Sequence, residues 1–131
     1  KKIIGLDYMK LRIKGNSIRL RLTQSEVQRM QTEKNVCESI DFGDDGVLHY
    51  ELRSKLCDKK IHPIFKSNRI TIVIDQAVIN DWADSDKVSI SGNYKTSDQN
   101  DMILLVEKDF KCLSPRDEDE TDMFPHPDQN N

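Results

Sequence analysis

The stretch MKLRIKGNSIRLRLTQSEV, residues 9–27, contains the pattern that decides the fold. Apolar and basic side chains alternate over residues 10–14 and again over 17–22, and this period of two predicts two strands. Gly15 and Asn16 lie between them and are typical of a two-residue hairpin turn, because glycine reaches positive φ without steric cost. The stretch therefore predicts a β-hairpin at the start of the fold.

A helix start signal follows the hairpin. Thr23 is a good N-cap residue, and Glu26 lies three residues later, which is the spacing of a capping box. Val27 and Met30 are spaced to share one helical face. These residues predict a helix over 24–32.

Residues 65–82, FKSNRITIVIDQAVINDW, repeat the polar and apolar pattern of residues 13–30, IKGNSIRLRLTQSEVQRM, at an offset of 52. The turn, the cap position and the apolar helix face coincide. The match extends into the next strand, where Val36 aligns with Val88. Self-similarity at a fixed offset predicts an internal duplication.

Each half is predicted to contain two strands, a helix and two more strands. The first half has strands 10–14, 17–22, 35–42 and 47–53 and helix 24–32, and the second has strands 61–66, 69–74, 87–92 and 102–108 and helix 76–84. The fold class is α+β, mostly antiparallel β. The duplicated ββαββ unit is predicted to form an eight-stranded closed or nearly closed barrel with two short helices, because closure hides the strand edges. An open sandwich of two similar sheets is the alternative. The predicted core comprises Leu11, Ile13, Ile18, Leu20, Leu22, Ile70, Ile72, Ile74, Ile79 and Trp82.

The length of 131 residues fits one domain with a tail. We predict an N-terminal extension, a single domain of two repeats and an acidic C-terminal tail. These span residues 1–8, residues 9–113 with repeats 10–53 and 61–108, and residues 114–131.

Composition favours a cytoplasmic protein without a membrane partner. No apolar run approaches the roughly 18 residues of a membrane span. Cys37, Cys57 and Cys112 are far apart and odd in number, which favours reduced thiols over a disulfide framework.

Five cations, Lys10, Arg12, Lys14, Arg19 and Arg21, line the first hairpin. Because the polar side chains of paired strands share a face, we predict that Arg12, Lys14, Arg19 and Arg21 lie together as an anion-binding face. Like charges at this spacing repel one another, so something compensates them. The alternatives are water around a solvated outer face, an acidic segment of the chain, and a phosphorylated ligand. The pattern leaves open whether the face lies inside a barrel or in water.

The acidic segment is the tail. Residues 1–34 hold nine Lys/Arg against three Asp/Glu, whereas residues 109–131 hold two against seven. RDEDETD, residues 116–122, is followed by Phe124 between Met and Pro, and this aromatic is the predicted anchor that docks the tail into an apolar groove. A solvated, solubilising tail is the alternative.

Glu51 and Glu107, in the last predicted strand of each half, are weaker site candidates. Acid–base catalysis needs a partner within hydrogen-bond reach, and structural ion pairing is the favoured interpretation, so no catalytic residue is assigned. The histidines at 49, 62 and 126 are dispersed without metal-ligand spacing, and we expect no metal and no cofactor. Nucleic acid is an unlikely partner, since the hairpin's apolar positions are Leu and Ile rather than aromatic and the net charge is −3.

Two motifs carry a family resemblance. MKLRIKGNSIRLRLTQSEV at the start and LVEKDFKCLSPRDEDETDMFPHP, residues 105–127, resemble those of a family of small uncharacterised bacterial proteins. His126 stands where those proteins carry Asn. The resemblance implies no activity.

A duplicated strand-and-helix unit forming an eight-stranded tunnel is also similar to the CYTH, or triphosphate tunnel, fold. That similarity implies inward-facing basic residues that bind phosphate chains and a divalent metal on a Glu-x-Glu-x-Lys motif in the first strand. Here residues 10–14 read KLRIK, so both carboxylates of the motif are missing.

These observations predict a binding or interaction module whose basic hairpin face engages an acidic segment or a phosphorylated ligand. Its partner is a phosphorylated small molecule or an acidic peptide. The alternative is a phosphohydrolase-like enzyme of the tunnel type that acts on phosphoanhydrides.

Overall fold

The computed structural model describes residues 8–110 and 122–125. Eight strands and two nine-residue helices follow the predicted order, and the α+β class is confirmed. The first half contains β1 (Lys10–Ile13), β2 (Ser17–Leu22), α1 (Gln24–Thr32), β3 (Asn35–Asp41) and β4 (Val47–Lys55). The second contains β5 (Ile61–Lys66), β6 (Arg69–Asp75), α2 (Gln76–Asp84), β7 (Ser89–Lys95) and β8 (Asp101–Lys108). In the part of the chain that the structure describes, neither helix has the length and apolar character needed to cross a membrane.

The strands form two four-stranded sheets. Sheet A has the order β1-β2-β8-β7 and sheet B has the order β3-β4-β6-β5. Each sheet combines one antiparallel hairpin from each half, and the two hairpins meet through a parallel pairing, β2 with β8 and β4 with β6. When each strand of sheet A is replaced by its counterpart in the other half, the order β1-β2-β8-β7 becomes β5-β6-β4-β3. This is the order of sheet B in reverse. This correspondence agrees with the predicted duplication, which itself stays a prediction.

The predicted closure into a barrel is not confirmed. Among residues 8–110 and 122–125, neither sheet closes on itself and no strand pairing joins the two sheets. The β5 and β7 edges approach one another at Ile61 and Gly92, where the Ile61 side chain occupies the space that a Cβ on residue 92 would need. Because an aliphatic side chain lies between these edges, the two sheets stay separate there, as in the open two-sheet alternative.

The inner faces of both sheets and one side of each helix share a single core. Leu20 and Leu22 of sheet A, Ile72 and Ile74 of sheet B, and Ile79 and Trp82 of α2 are buried as predicted. Leu11, Ile18 and Ile70 are partly buried against this core. The prediction for Ile13 is wrong, since its side chain is 60% exposed. Ile13 is the last residue of an edge strand, and it pairs with the partly buried Ile18.

The register also corrects one aligned pair. Val36 lies opposite Leu52 in sheet B, and the residue in the matching place of sheet A is Ile90, opposite Val106. Val36 and Ile90 are both buried, whereas Val88 is half exposed. The segment between α2 and β7 is two residues longer than the segment between α1 and β3. In that longer segment, the Val88 carbonyl accepts a 3.0 Å hydrogen bond from the indole N–H of Trp82.

The capping box at the start of α1 is confirmed. The backbone N–H of Thr23 donates to Glu26 Oε1 at 3.0 Å, and the Thr23 hydroxyl accepts from the Glu26 backbone. The other oxygen of Glu26 accepts from the backbone N–H of Met9 at 2.8 Å, and the Tyr50 hydroxyl donates to the Met9 carbonyl. Glu26 of the capping box therefore also holds Met9, the residue that precedes β1. Asp75 occupies the equivalent place before α2, but its carboxylate accepts from the Cys57 backbone instead.

Candidate functional site

The predicted anion-binding residues lie on the outer face of sheet A. The β1–β2 register places Lys10 opposite Arg21 and Arg12 opposite Arg19. Leu20 and Leu22 alternate with these arginines and are fully buried, so the basic side chains point away from the core. The sequence left open whether the basic face lies inside a barrel or in water. In the structure the cations of β1 and β2 do not line an interior. We call Lys10, Arg12, Lys14, Arg19 and Arg21 the hairpin face.

Lys14 lies at the rim of the hairpin face, one residue beyond β1. Its backbone exchanges two hydrogen bonds with Ser17, at 3.1 and 3.2 Å, which close the turn around Gly15 and Asn16. Gly15 has a φ of +55°, a conformation that other residues adopt only at a cost. The turn residue Asn16 accepts from the Ile103 backbone, so the hairpin tip is tied to β8.

Two carboxylates compensate part of the hairpin face. The parallel β2–β8 pairing places Arg21 beside Glu107, and Glu107 Oε1 lies 3.3 Å from Arg21 Nη2 and 3.5 Å from Arg19 Nε. Lys10 Nζ lies 3.1 Å from Asp109. Glu107 therefore acts as an ion-pair partner, which agrees with the interpretation that its role is ion pairing rather than catalysis. Ion pairs with this exposure contribute about 0–1 kcal/mol each.

A shallow pocket of about 360 Å³ opens on this side of the molecule. Its lining is four of the five hairpin cations and one apolar residue, namely Lys10, Arg12, Arg19, Arg21 and Leu11. The guanidinium groups carry planar forks of N–H donors that fit carboxylate and phosphate oxygens. The pocket thus combines positive charge with donors suited to an oxyanion.

Glu51, the other weaker candidate, lies on the outer face of sheet B with only 2% of its surface exposed. Its Oε2 accepts from Arg53 at 2.7 Å and from Asn35 at 2.9 Å, and its Oε1 lies 3.6 Å from Arg69 Nη1. His49 lies two residues before Glu51 on the same face of β4 and contacts the hydroxyl of Ser39 at 2.7 Å. The contacts of Glu51 are therefore those of a buried ion-pair centre.

A second group of cations surrounds Glu51, and sequence reasoning missed it. We call Arg53, Lys55, Lys66 and Arg69 the sheet B cluster, which lines a pocket of about 310 Å³ together with Glu51, Ile64, Ser67, Thr71 and Val73. The parallel pairing of β4 with β6 brings Arg53 and Arg69 onto one sheet although they belong to different halves. The alternation of Glu51, Arg53 and Lys55 along β4 was the one sequence signal for this cluster. It predicts charged side chains on one face of the strand, but only the strand order shows that Arg69 of β6 lies on the same face.

The described part of the tail does not show the predicted anchor. Phe124 is 97% exposed, so its ring is not packed into an apolar groove of the described residues. Residues 111–121, which include most of the acidic segment and Cys112, lie outside the described residues, as does His126.

No metal centre is found among the described residues, where no group of three or more His, Cys, Asp or Glu side chains could hold an ion. His62 is half-buried on β5, and its Nδ1 has no hydrogen-bond partner within residues 8–110 and 122–125. Burial lowers the pKa of His62, and the positive charges of Lys59 and Lys55 lower it further.

The comparisons with known proteins identify a family without assigning a function. No curated protein and no solved structure matches this chain. One family model matches residues 9–128, which is most of the sequence, and its description is a family of unknown function, DUF7009. The chain therefore belongs to the DUF7009 family.

Proposed function

We propose that this protein is a binding module whose hairpin face takes up an oxyanion, either from a phosphorylated ligand or from an acidic segment. The observation that carries the proposal is the direct opposition of two cation pairs, Lys10 with Arg21 and Arg12 with Arg19, on the side of sheet A that faces away from the core. The adjacent pocket of about 360 Å³ offers space for an oxyanion beside them.

The register of the hairpin face supports this proposal. Asp109 and Glu107 lie 3.1–3.5 Å from Lys10, Arg19 and Arg21, and an oxyanion in the pocket would add to these contacts. Like charges opposed across a strand pair are destabilising, and an oxyanion between them would reduce that repulsion. Arginine is better suited to this role than lysine because its guanidinium binds two oxygens at once.

Two sources of the oxyanion have the same chemistry. Residues 117–122 of the chain carry five carboxylates, and a phosphorylated small molecule would offer phosphate oxygens. In the first case the chain's own tail competes with external ligands, and in the second case it does not. The two sources are therefore distinguished by the effect of the tail charges on ligand affinity.

A tunnel-type phosphohydrolase is the less favoured candidate. In that arrangement the basic residues surround a phosphate chain inside a closed barrel, whereas the strand cations here face away from the core of two open sheets. The first strand also lacks the paired carboxylates that would hold a divalent ion. An outward-facing oxyanion site accounts for the same cations without that chemistry.

The test measures tripolyphosphate binding by calorimetry at low salt. We expect the wild-type protein to bind, and the double variant Lys10→Gln/Arg12→Gln to bind about tenfold more weakly, because two charge-assisted contacts are lost. Both side chains are exposed, so the variant is expected to fold. Equal affinity of the two proteins, or no binding by either, would contradict the proposal.

A second pair of variants separates the two sources. One variant neutralises the five carboxylates of residues 117–122, and the matched control neutralises five exposed carboxylates elsewhere, Asp44, Asp45, Asp58, Asp86 and Asp98. If the tail occupies the hairpin face, the tail variant gains more affinity for tripolyphosphate than the control and loses stability mainly at low salt. If the ligand comes from outside, both variants change affinity alike.

A further inference from the structure

The sheet B cluster is an independent concentration of positive charge on the other sheet. It draws on three strands: Arg53 and Lys55 come from β4, Lys66 ends β5, and Arg69 begins β6. Among the described residues, Glu51 is the only carboxylate within 4.0 Å of these four cations. The cluster therefore holds a surplus of positive charge that the described part of the protein does not neutralise.

Glu51 contacts both arginines of the cluster, and Arg69 Nη1 also donates to Cys37 Sγ at 3.0 Å. One carboxylate oxygen lies 2.7 Å from Arg53 Nη2, and the other lies 3.6 Å from Arg69 Nη1. Asn35 donates to the first oxygen at 2.9 Å and Thr71 lies 3.5 Å from the second. These contacts hold a buried acid in place and engage one terminal nitrogen of each guanidinium. Since a guanidinium carries five N–H donors, both arginines keep donors for a further partner.

The pocket beside these arginines has a mixed lining. Lys55, Lys66 and Ser67 are exposed and polar, whereas Ile64 provides an exposed apolar surface. Its volume of about 310 Å³ is at the lower end of the roughly 300–1,000 Å³ typical of small-molecule sites. The space suits a small molecule with one anionic end and one apolar end, rather than a polymer.

We propose that the sheet B pocket binds a small phosphomonoester, with the phosphate held by Arg53 and Arg69 and the organic part placed on the exposed Ile64. The register places the two lysines six residues apart along β6, roughly 20 Å, so they raise the positive potential from the two ends of the pocket and do not contact the same phosphate. Four cations against one glutamate favour a dianion over a monocarboxylate, because a dianion neutralises more of the surplus. Phosphate oxygens can accept from both guanidinium forks together.

The test uses phenyl phosphate as the probe and calorimetry at low salt with the full chain. We expect Arg69→Gln to weaken phenyl phosphate binding by about tenfold or more, since a charge-assisted contact is removed. Because Arg69 also contacts the buried Glu51, the exposed pair Lys55→Gln/Lys66→Gln serves as a second variant that leaves the ion pairs of Glu51 intact, and we expect it to weaken binding as well. Benzoate should bind more weakly than phenyl phosphate to the wild-type protein.

The position of phenyl phosphate in the hairpin variant Lys10→Gln/Arg12→Gln, read from backbone amide shifts by NMR, separates this site from the hairpin face. In that variant phenyl phosphate should still shift the signals of residues 51–55 and 64–71 with saturation. The matched charge control Lys87→Gln/Lys95→Gln removes two exposed cations outside both faces and should leave phenyl phosphate binding unchanged. Unaltered binding in the Lys55/Lys66 variant, absence of saturable shifts at residues 51–55 and 64–71, or absence of binding to the wild-type protein would each overturn the proposal.

Discussion

The outer faces of the two sheets are built on the same topology but distribute their charges differently. In sheet A the five cations of the hairpin face belong to one hairpin, and Leu105 lies beside Arg19 at the centre of the parallel strand pair. In sheet B the equivalent central pair is Glu51 beside Thr71. A glutamate replaces a leucine at the centre, and the cations come from three strands around it.

The two glutamates show what this difference does. Glu107 in sheet A is 21% exposed in its side chain and pairs with Arg19 and Arg21, whose side chains are about one third exposed. Glu51 is 2% exposed and receives hydrogen bonds from Asn35 and Arg53. A shared ion pair at the surface leaves the cations of sheet A loosely organised, whereas a buried carboxylate organises those of sheet B. We therefore expect charge-removing substitutions, and added salt, to affect stability differently on the two faces.

The largest expected effect is on the free energy of unfolding, and it arises in a comparison of the two helices. Trp82→Ala should lower the free energy of unfolding by about 3–5 kcal/mol, because the indole is fully buried and its N–H bond to Val88 is lost. Met30→Ala, at the equivalent place in α1, should cost about 2–5 kcal/mol and lack the hydrogen-bond component. Urea unfolding of both variants measures the difference. A denaturation midpoint unchanged by Trp82→Ala would refute the place of this residue in the core.

The next effect compares the two glutamates directly. Glu51→Gln should destabilise the protein by about 2 kcal/mol, because a buried charge-assisted network loses its acceptor charge. Glu107→Gln should cost less than about 1 kcal/mol, as expected for an exposed pair, and added salt should reduce its effect. Unfolding at low and high salt gives both values. Equal losses for the two variants would mean that burial does not distinguish the faces.

A smaller effect is expected in the two hairpin turns. Gly15 has a φ of +55°, and Ser67, at the equivalent place between β5 and β6, has a φ of +53°. Because a Cβ disfavours this conformation, Gly15→Ala should destabilise by about 1 kcal/mol and Ser67→Gly should stabilise by up to about 1 kcal/mol. Thermal unfolding of the two variants provides the measurement. A stabilising Gly15→Ala would show that the turn does not need a left-handed residue.

The smallest effect concerns pH. His62 on β5 occupies the place that Lys10 holds on β1, and its pKa in the folded protein lies below 6.5 because of burial, Lys59 and Lys55. The unfolded chain therefore binds the proton more readily, so His62 reduces stability as the pH falls through 6.5 toward the folded pKa. Comparing thermal midpoints at pH 7.5 and 5.5, we expect a smaller decrease for His62→Gln than for the wild-type protein. An identical decrease in both would contradict this assignment.

The local elements were predictable from the sequence because local signals determine them. Alternation fixed the strands, and Thr23 with Glu26 predicted the start of α1, where the capping box is found. The two-residue turn at Gly15 and Asn16 also follows from local backbone preference. These features depend on residues that are neighbours in the chain, so no knowledge of the sheet order was needed.

The sheet arrangement and the second basic face were not predictable in the same way. Pairing of β2 with β8 and of β4 with β6 joins residues more than eighty and about twenty positions apart, and no local pattern specifies such contacts. Arg53 and Arg69 therefore looked unrelated in the sequence. The error in matching Val36 with Val88 has a similar origin, since two extra residues after α2 change the offset without changing the pattern.

Binding of oxyanions by the outward-facing cations of the two sheets can be followed residue by residue. Isotope-labelled protein is titrated with inorganic phosphate, and the backbone amide signals are recorded by NMR. We expect saturable shifts concentrated in two groups, one around residues 10–21 and 105–109, and one around residues 51–55 and 64–71. Shifts that are absent, or that spread evenly over the loops without saturation, would contradict this expectation.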